Sequence, residues 1–213
     1  MKKDLILFGG GGQCKSCIDV IEMEGKYRII GIVDSFKQNG ERVGEYRIIG
    51  KDVDLPRLIK EYKHCLITFG QVDFSPAKKI WYEKIIELGA ISPAIISPLA
   101  CVSRHAKIGC GVIIMHHAIV NAYAKVGDNC IINTKALIEH DSVVENHVHI
   151  STAAVVNGGC TVQESVLIGS GAILKQGIKI CKGTIIGAGA VVTRSITQKA
   201  VYAGIPARVI KEL

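Results

Sequence analysis

The chain has 213 residues, a formal net charge of +7 at pH 7 and eight cysteines, and 48% of its residues are hydrophobic. This length accommodates one large or two small domains with substantial cores. The sequence lacks an apolar run of the length that a membrane-spanning helix needs, and its first residues lead directly into a short strand. We therefore expect neither a membrane span nor a signal peptide.

The charge and the cysteines narrow the class of protein further. Aromatic residues make up 5% of the chain, and no basic patch is interleaved with them, which argues against nucleic-acid binding. Phosphate-bearing small ligands account for the positive charge, as does a merely basic surface. Because the cysteines are spread through a long chain, we expect reduced thiols and a cytoplasmic protein. Cys14 and Cys17 have CxxC spacing, but no second pair follows, so no metal site is predicted.

The first 96 residues alternate between predicted strands and helices. Strands are predicted over 5–8, 27–33, 46–50 and 65–70, helices over about 13–25, 55–62 and 76–88, and a last extended segment over 91–96. This alternation indicates a small, parallel, Rossmann-like α/β domain over residues 1–96. It is too short for the two-halved dinucleotide fold, so a dehydrogenase is not expected.

A glycine-rich loop, residues 9–12, follows the first predicted strand. It precedes a predicted helix N-terminus, where free N–H groups and the helix dipole favour phosphate. An acidic residue about twenty positions further on can take ribose hydroxyls, and Asp34 ends the second strand. The turn at Gly70 and Gln71 is expected at the same sheet edge. The loop therefore predicts a nucleotide site, with a tight turn that binds nothing as the alternative.

From Val102 onward an aliphatic residue returns at every sixth position, sixteen times in one register. These residues are Val102, Ile108, Ile114, Val120, Val126, Ile132, Ile138, Val144, Ile150, Val156, Val162, Ile168, Leu174, Ile180, Ile186 and Val192. A period of six is typical of a parallel β-helix, in which three hexads make one triangular coil. Residues 97–213 are therefore predicted to form an all-β domain with these side chains inside, and glycines such as Gly109 and Gly127 are expected at its corners.

The chain resembles the left-handed hexapeptide acyltransferases, and within them the sialic acid O-acetyltransferases and nucleotide-4-amino-sugar N-acetyltransferases. The left hand of the β-helix is taken from this resemblance. One departure is Gln13, where the family usually has His after its glycines. The motifs that carry the resemblance are the glycine loop with Lys15, the stretches 132–134, 139–141 and 148–151, and the tail Tyr202-Ala203-Gly204-Ile205-Pro206-Ala207-Arg208.

Acetyl transfer from a thioester needs a base, a donor to the developing oxyanion and a slot for the pantetheine arm. His140 lies on an outward corner, and Asp141 or Glu139 can fix its tautomer. The resemblance makes His140 the general base and the following acidic residue its orienting partner. Gly158, one coil later, is expected to leave an open groove and to donate its amide N–H to the thioester carbonyl. A structural corner histidine and a simple turn are the alternatives.

The resemblance also implies a homotrimer and two sets of binding residues. His149 is expected on another edge of the prism, in contact with a neighbouring subunit, where it touches acetyl-CoA or substrate; packing between subunits is the alternative. His116 and His117, without an acidic neighbour in the sequence, are not expected to be catalytic. The acetyl-CoA set is His149, Gly158, Gly159, Gly171, Gly189 and Arg208, and the nucleotide-sugar set is Gly10, Gly11, Gly12, Gln13, Lys15, Asp34, Ser35, Gly70 and Gln71.

The function predicted by these features is acetyl-CoA-dependent N-acetylation of a nucleotide-linked amino sugar, with a UDP-4-amino-sugar favoured, in the synthesis of a bacterial glycan or surface polysaccharide. The second enzymatic hypothesis is O-acetylation of a sialic-acid-type sugar. The non-enzymatic alternative is a hexapeptide-repeat binding protein without catalytic activity. A zinc-dependent hydratase on the same β-helix would need three converging histidines as zinc ligands. A nucleotide-binding domain is not expected in such an enzyme.

Overall fold

A computed structural model describes residues 2–70 and 75–213. In the α/β domain, the predicted alternation of strands and helices is confirmed. The short strand Arg42–Val43 was not predicted, because two residues carry no detectable periodicity. The elements are β1 (Lys3–Phe8), α1 (Gly12–Glu24), β2 (Tyr27–Val33), β3 (Arg42–Val43), β4 (Tyr46–Gly50), a 3-10 turn (Asp52–Asp54), α2 (Leu55–Tyr62), β5 (Cys65–Ile67) and α3 (Ala77–Glu87).

These strands form one sheet in the order β3-β4-β2-β1-β5. Pairing is parallel between β1, β2, β4 and β5, and only the short β3 runs antiparallel to its neighbour. The chain moves from β1 to β2 on one side and later returns to place β5 on the other side of β1. Ligands of open α/β sheets bind at such a reversal, outside the carboxyl ends of the strands.

The sixteen predicted hexads each form a two-residue strand that ends on the predicted inward aliphatic residue. They are β7 to β22 at Cys101–Val102, Lys107–Ile108, Ile113–Ile114, Ile119–Val120, Lys125–Val126, Ile131–Ile132, Leu137–Ile138, Val143–Val144, His149–Ile150, Val155–Val156, Thr161–Val162, Leu167–Ile168, Ile173–Leu174, Lys179–Ile180, Ile185–Ile186 and Val191–Val192. Strands β7 to β19 each pair in parallel with the strand eighteen residues further along, as Ile119 does with Leu137. The predicted parallel β-helix of hexapeptide repeats is thereby confirmed.

The β-helix has three faces. Face 1 contains β7, β10, β13, β16, β19 and β22; face 2 contains β8, β11, β14, β17 and β20; face 3 contains β9, β12, β15, β18 and β21. A further strand, β6 (Ile95–Ile96), pairs with β9 and extends face 3. The extended segment predicted over 91–96 thus ends inside the β-helix, while Ile91 bridges to His64 of the α/β domain. The boundary between residues 96 and 97 remains a prediction.

The corners repeat as regularly as the strands, since every sixth residue from Gly111 to Gly189 has a positive φ. Gly109 and Gly127 lie at corners, as predicted, but they are not among the residues with a positive φ. Their lack of a side chain serves another purpose. A Cβ at Gly109 would collide with the Asp128 carboxylate, and one at Gly127 with the Asn146 amide, each from the next coil. Glycine is needed there for close approach.

The α/β domain packs on face 3. Outward residues Ile113 and Ile131 share a buried cluster with Cys14 and Cys17 of α1. Burial raises the pKa of the Cys14 thiol to about 11, and desolvation also raises that of Cys17. These thiols are therefore core residues rather than a reactive pair. A polar contact adds to the interface, since buried Lys78 donates to the side-chain and main-chain oxygens of Asn129.

Beyond the last coil the chain forms a hairpin. Strand β23 (Ala200–Ala203) pairs in parallel with β21, and β24 (Arg208–Glu212) returns antiparallel to β23. The tail motif seen in the sequence forms the connection between them. Among residues 2–70 and 75–213, none of the helices has the length and apolar character needed to cross a membrane.

Candidate active site

His140 lies on the edge between faces 1 and 2, which we call the His140 edge. Its Nδ1 is 2.8 Å from Oδ2 of Asp141. Because a carboxylate only accepts hydrogen bonds, Nδ1 carries the proton and Nε2 of the neutral ring presents a lone pair. Both side chains are more than half exposed in the single chain. The edge therefore presents an oriented proton acceptor to the space outside the β-helix.

The corner geometry brings these two sequence neighbours together. Asp141 has a φ of 59°, and this left-handed conformation turns the chain so that its carboxylate reaches back to His140. Glu139 is used differently. Its Oε2 accepts hydrogen bonds from the Asn121 amide at 2.8 Å and from the main-chain N–H of His140 at 3.3 Å. Of the two predicted orienting residues, Asp141 contacts the ring and Glu139 supports the backbone of the corner.

Gly158 lies directly above the His140 ring on the next coil. A Cβ at this position would be 2.7 Å from Nε2 and 2.8 Å from Cε1 of His140. Among the described residues the Gly158 N–H has no hydrogen-bond acceptor, whereas the Gly159 N–H donates to the His140 carbonyl at 2.9 Å. The space beside the base thus exists because position 158 has no side chain, and a free amide donor borders it.

Further along, the same edge leads to a basic pocket, of which Arg208 but not Arg194 was predicted from the sequence. Arg194 stands three coils above His140, and it lines a pocket of about 570 Å³ together with Arg208 of the tail. The signal for Arg194 was its spacing from His140, three times the eighteen-residue coil. Gly171 and Gly189 lie on the edge between faces 3 and 1, where an added Cβ would meet open space. They are therefore not on the His140 edge with Gly158.

His149 is placed differently from its predicted position on an edge shared with another subunit. It is the outward residue of β15 on face 3 and is only 7% exposed, because the α/β domain of the same chain covers that face. A Cβ at Gly70 would lie 3.7 Å from its Cε1. The structure thus brings His149 together with the predicted nucleotide-binding turn at Gly70. Gln71, the other predicted residue of this turn, lies outside the described residues.

The glycine loop and the start of α1 form an open surface at the carboxyl edge of the sheet. An added Cβ at Gly11 or Gly12 would touch nothing within 4 Å. The first turn of α1 contains no acidic side chain, and its N-cap position has no side-chain hydrogen bond. The amides there are available to an anion, with Gln13 and exposed Lys15 on the first turn. Thr68, not foreseen from the sequence, donates to the Gly9 carbonyl at 2.7 Å and so ties β5 to the loop.

Asp34 is largely engaged by the protein itself. Its Oδ2 accepts the Gly10 N–H at 2.6 Å, and its Oδ1 accepts the N–H groups of Phe36 and Lys37 at 2.9 and 3.1 Å. Since a carboxylate has about four acceptor sites, one remains for a ribose hydroxyl. Asp34 therefore positions the glycine loop and the turn that includes Ser35, in addition to its predicted contact with the nucleotide.

Replacing Asp34 with alanine is expected to raise the KM for the sugar nucleotide while changing the KM for acetyl-CoA little. Three main-chain donors lose their acceptor, so the free energy of unfolding should also fall by about 1–3 kcal/mol. Steady-state kinetics with each substrate varied in turn, together with denaturant unfolding, test both effects. The control is Asp4→Ala, which removes an ion pair with Arg28 at the opposite ends of the strands. An increased KM for acetyl-CoA alone would place the nucleotide elsewhere.

His116 has an acidic partner that the sequence did not reveal. Its Nε2 is 2.7 Å from Asp19 of α1, and its Nδ1 is 2.7 Å from the hydroxyl of buried Ser97. The contact joins the two domains at the base of face 3. Because Ser97 is buried, the contact between Asp19, His116 and Ser97 joins the domains and is not a second reactive centre.

A β-helix of hexapeptide repeats, with a carboxylate-oriented histidine beside a glycine groove, defines an acyltransferase. Residues 4–85 match the family model described as the PglD N-terminal domain, and residues 159–194 match the bacterial transferase hexapeptide (six repeats). No curated protein sequence matches the chain significantly.

Solved structures resemble the whole chain. The acetyltransferase domain of PglB from Neisseria gonorrhoeae is 30% identical, with a TM-score of 0.91, and the match covers 98% of this chain and 100% of that one. The same domain in complex with acetyl coenzyme A matches over 99% and 100%, also at 30% identity and a TM-score of 0.91. A mutant of perosamine N-acetyltransferase from Caulobacter crescentus, in complex with CoA and GDP-perosamine, is 29% identical, with a TM-score of 0.92 and coverage of 98% and 97%.

The chain therefore belongs to the family of left-handed β-helix sugar acetyltransferases that contains these proteins. It is an acetyltransferase.

Proposed function

We propose that the protein transfers the acetyl group of acetyl-CoA to the amine of a nucleotide-linked amino sugar, in the synthesis of a bacterial glycan or surface polysaccharide. The observation that carries this proposal is the arrangement on the His140 edge, where Asp141 orients the ring and Gly158 opens the space at Nε2. The solved relatives with acetyl coenzyme A, or with CoA and GDP-perosamine, support the same donor and class of acceptor.

In the proposed reaction, His140 Nε2 accepts a proton from the sugar amine while the amine nitrogen attacks the thioester carbonyl carbon. The C–N bond forms, the C–S bond breaks, and the proton passes to the departing sulfur. Asp141 holds the ring in the tautomer that can accept the proton and stabilises the imidazolium. The Gly158 N–H, which donates to no described residue, is the proposed donor to the carbonyl oxygen as that oxygen gains charge.

The His140 edge also suggests where the coenzyme lies. Three coils separate His140 from Arg194, and coils stack at about 4.8 Å, so the basic pocket lies roughly 14 Å above the base. An extended pantetheine arm covers a distance of this order, which would bring the phosphates of acetyl-CoA to Arg194 and Arg208. Gly159 gives the arm an unobstructed path, since an added Cβ there would meet nothing within 4 Å.

Replacing Arg194 with alanine is expected to raise the KM for acetyl-CoA by about tenfold, because a charge-assisted hydrogen bond to phosphate is lost at an exposed site. The KM for the sugar nucleotide and kcat should change little. Arg104→Ala, at an exposed arginine of the first coil, is the control. If both variants gave the same KM for acetyl-CoA as the wild type, the coenzyme would follow another edge.

The active form is proposed to be a homotrimer, since the His140 edge is opposite the face that the α/β domain covers. A sugar held at the glycine loop therefore cannot be presented readily to His140 of the same chain. A neighbouring subunit would bring its own nucleotide site, with Gly70 and His149, to this edge. Face 1 is apolar on the outside, with Ile119 37% and Ile173 40% exposed, as expected of a surface that another subunit covers.

The experiment that tests this function is an acetylation assay with UDP-, GDP- and CMP-linked sugars, combined with thermal shift and light scattering. A UDP-4-amino-sugar is expected to be acetylated at nitrogen and to stabilise the fold by mass action. Acetylation of a sialic-acid-type sugar at a hydroxyl would favour the alternative activity, sugar O-acetylation. An active monomer would contradict the intersubunit site, and no transfer to any amino sugar would overturn the proposed function.

A further inference from the structure

Phe36 is the most exposed large hydrophobic side chain in the described parts of the chain, with 99% of its surface accessible. A scattered exposed apolar residue needs no explanation by itself. The position of Phe36 sets it apart. It lies two residues beyond Asp34, in the loop that leaves the carboxyl end of β2, beside the glycine loop.

The loop that carries Phe36 is held by main-chain hydrogen bonds before and after this residue in the sequence. The Phe36 N–H donates to Asp34 Oδ1 at 2.9 Å. Further along, the Gln38 N–H donates to Glu41 Oε2 at 3.2 Å, and the Gly40 N–H donates to the Ile48 carbonyl at 2.9 Å. The aromatic face is therefore presented to solvent from an ordered support. The backbone is therefore already ordered, and only the side-chain torsions of Phe36 lose freedom when a ligand packs on the ring.

The order of groups at this edge matches the order of groups in a nucleoside diphosphate. The amides at the start of α1 suit the diphosphate, and the remaining acceptor site of Asp34 suits a ribose hydroxyl. One Asp34 carboxylate accepts the Gly10 and Phe36 main-chain N–H groups, so Phe36 lies next to the group that suits the ribose. The next group of the ligand is the base, which has a flat face that stacks on aromatic rings.

We propose that Phe36 is the stacking platform for the base of the sugar nucleotide. The inference rests on the proposed function, because it takes the nucleotide to bind at the glycine loop. Stacking depends on the flat face of the base and little on its hydrogen-bonding pattern. Phe36 thus contributes affinity for a nucleoside diphosphate whichever base it carries, since both uracil and guanine can stack on the ring.

The test is calorimetric titration of UDP and GDP into the full-length wild type, Phe36→Ala, Phe36→Tyr and Met23→Ala. Phe36→Ala is expected to raise the Kd for whichever nucleotide the wild type binds by about 5- to 100-fold. Phe36→Tyr should keep the wild-type Kd, because the aromatic ring remains. Inhibition by ribose 5-phosphate, which lacks a base, should be equal in wild type and Phe36→Ala. Met23, 47% exposed near the end of α1 away from the loop, is the matched control and should behave as wild type.

The possible outcomes distinguish failure of the Phe36 platform from failure of the proposed function. If the wild type binds UDP or GDP and Phe36→Ala binds it equally well, the platform is refuted while the proposed function stands. If Phe36→Ala instead dissociates the oligomer with unchanged nucleotide affinity, the ring belongs to a subunit contact and the platform is also refuted. If neither nucleotide binds the wild type, both proposals are overturned.

Discussion

Replacing His140 with alanine is expected to lower kcat by about 10²–10⁴-fold, the usual contribution of a positioned general base. The affinity for acetyl-CoA should remain nearly intact, because the ring contacts Asp141 and the space under Gly158 rather than the path toward Arg194. Asp141→Asn should give a kcat between those of the wild type and His140→Ala, since the ring remains but its orienting carboxylate is lost.

The matched control for His140→Ala is His117→Ala. His117 is an exposed corner histidine with a positive φ, and Ala153 already occupies the equivalent corner position two coils above it. This variant should therefore fold and turn over like the wild type. Near-normal turnover of His140→Ala at pH 7 would refute the assignment of the base. His149 would then be the next candidate, with the amine approaching from the face that carries Gly70.

Replacing Gly158 with alanine is expected to lower kcat by roughly 10- to 100-fold, the penalty for a misplaced catalytic group. The new Cβ would lie 2.7 Å from His140 Nε2, so the ring must move away from the position where it accepts the proton. A larger side chain, as in Gly158→Leu, should in addition block the pantetheine groove and weaken acetyl-CoA binding. Steady-state kinetics separate the two effects as changes in kcat and in KM.

Gln176→Ala is the control for Gly158→Ala, because Gln176 is exposed at the same corner one coil further on. It should keep the wild-type kcat, because it is one coil further from the base than Gly158. Its KM for acetyl-CoA is not part of the control, since Gln176 lies between Gly158 and Arg194 on the proposed path of the pantetheine arm. Light scattering of Gly158→Ala should give the same mass as the wild type, which excludes loss of assembly as the cause. An unchanged kcat in a correctly assembled Gly158→Ala variant would mean that the His140 ring does not act as the base from its position beneath Gly158.

The elements of the α/β domain were predicted well where the apolar pattern was long. β2 and α2 were found with their predicted bounds, while β5 ends at Ile67, three residues before the predicted end at Gly70. A short apolar run does not show where strand pairing stops. The two-residue β3 has no pattern to detect, and Ile95–Ile96 looked like a strand of the first domain because its partner in the β-helix is eighteen residues away.

At the candidate site, neighbours along the chain or along the coil were predictable and contacts between domains were not. His140 with Asp141 is a contact between adjacent residues, and His140 with Gly158 follows from the eighteen-residue coil. The Asp19 partner of His116 lies 97 residues away in the other domain. No periodicity links two domains that dock through their own surfaces.

The sequence by itself determined the β-helix, because a strict period of six forces each aliphatic residue onto the inside of a coil and stacks equivalent positions at a fixed interval. Only the tertiary structure decided which face the α/β domain covers. That choice depends on the apolar side chains that α1 and face 3 expose to each other, and it buries His149 beside Gly70. It also leaves His140 on the opposite edge, because burial of one face of a three-sided prism leaves the facing edge open.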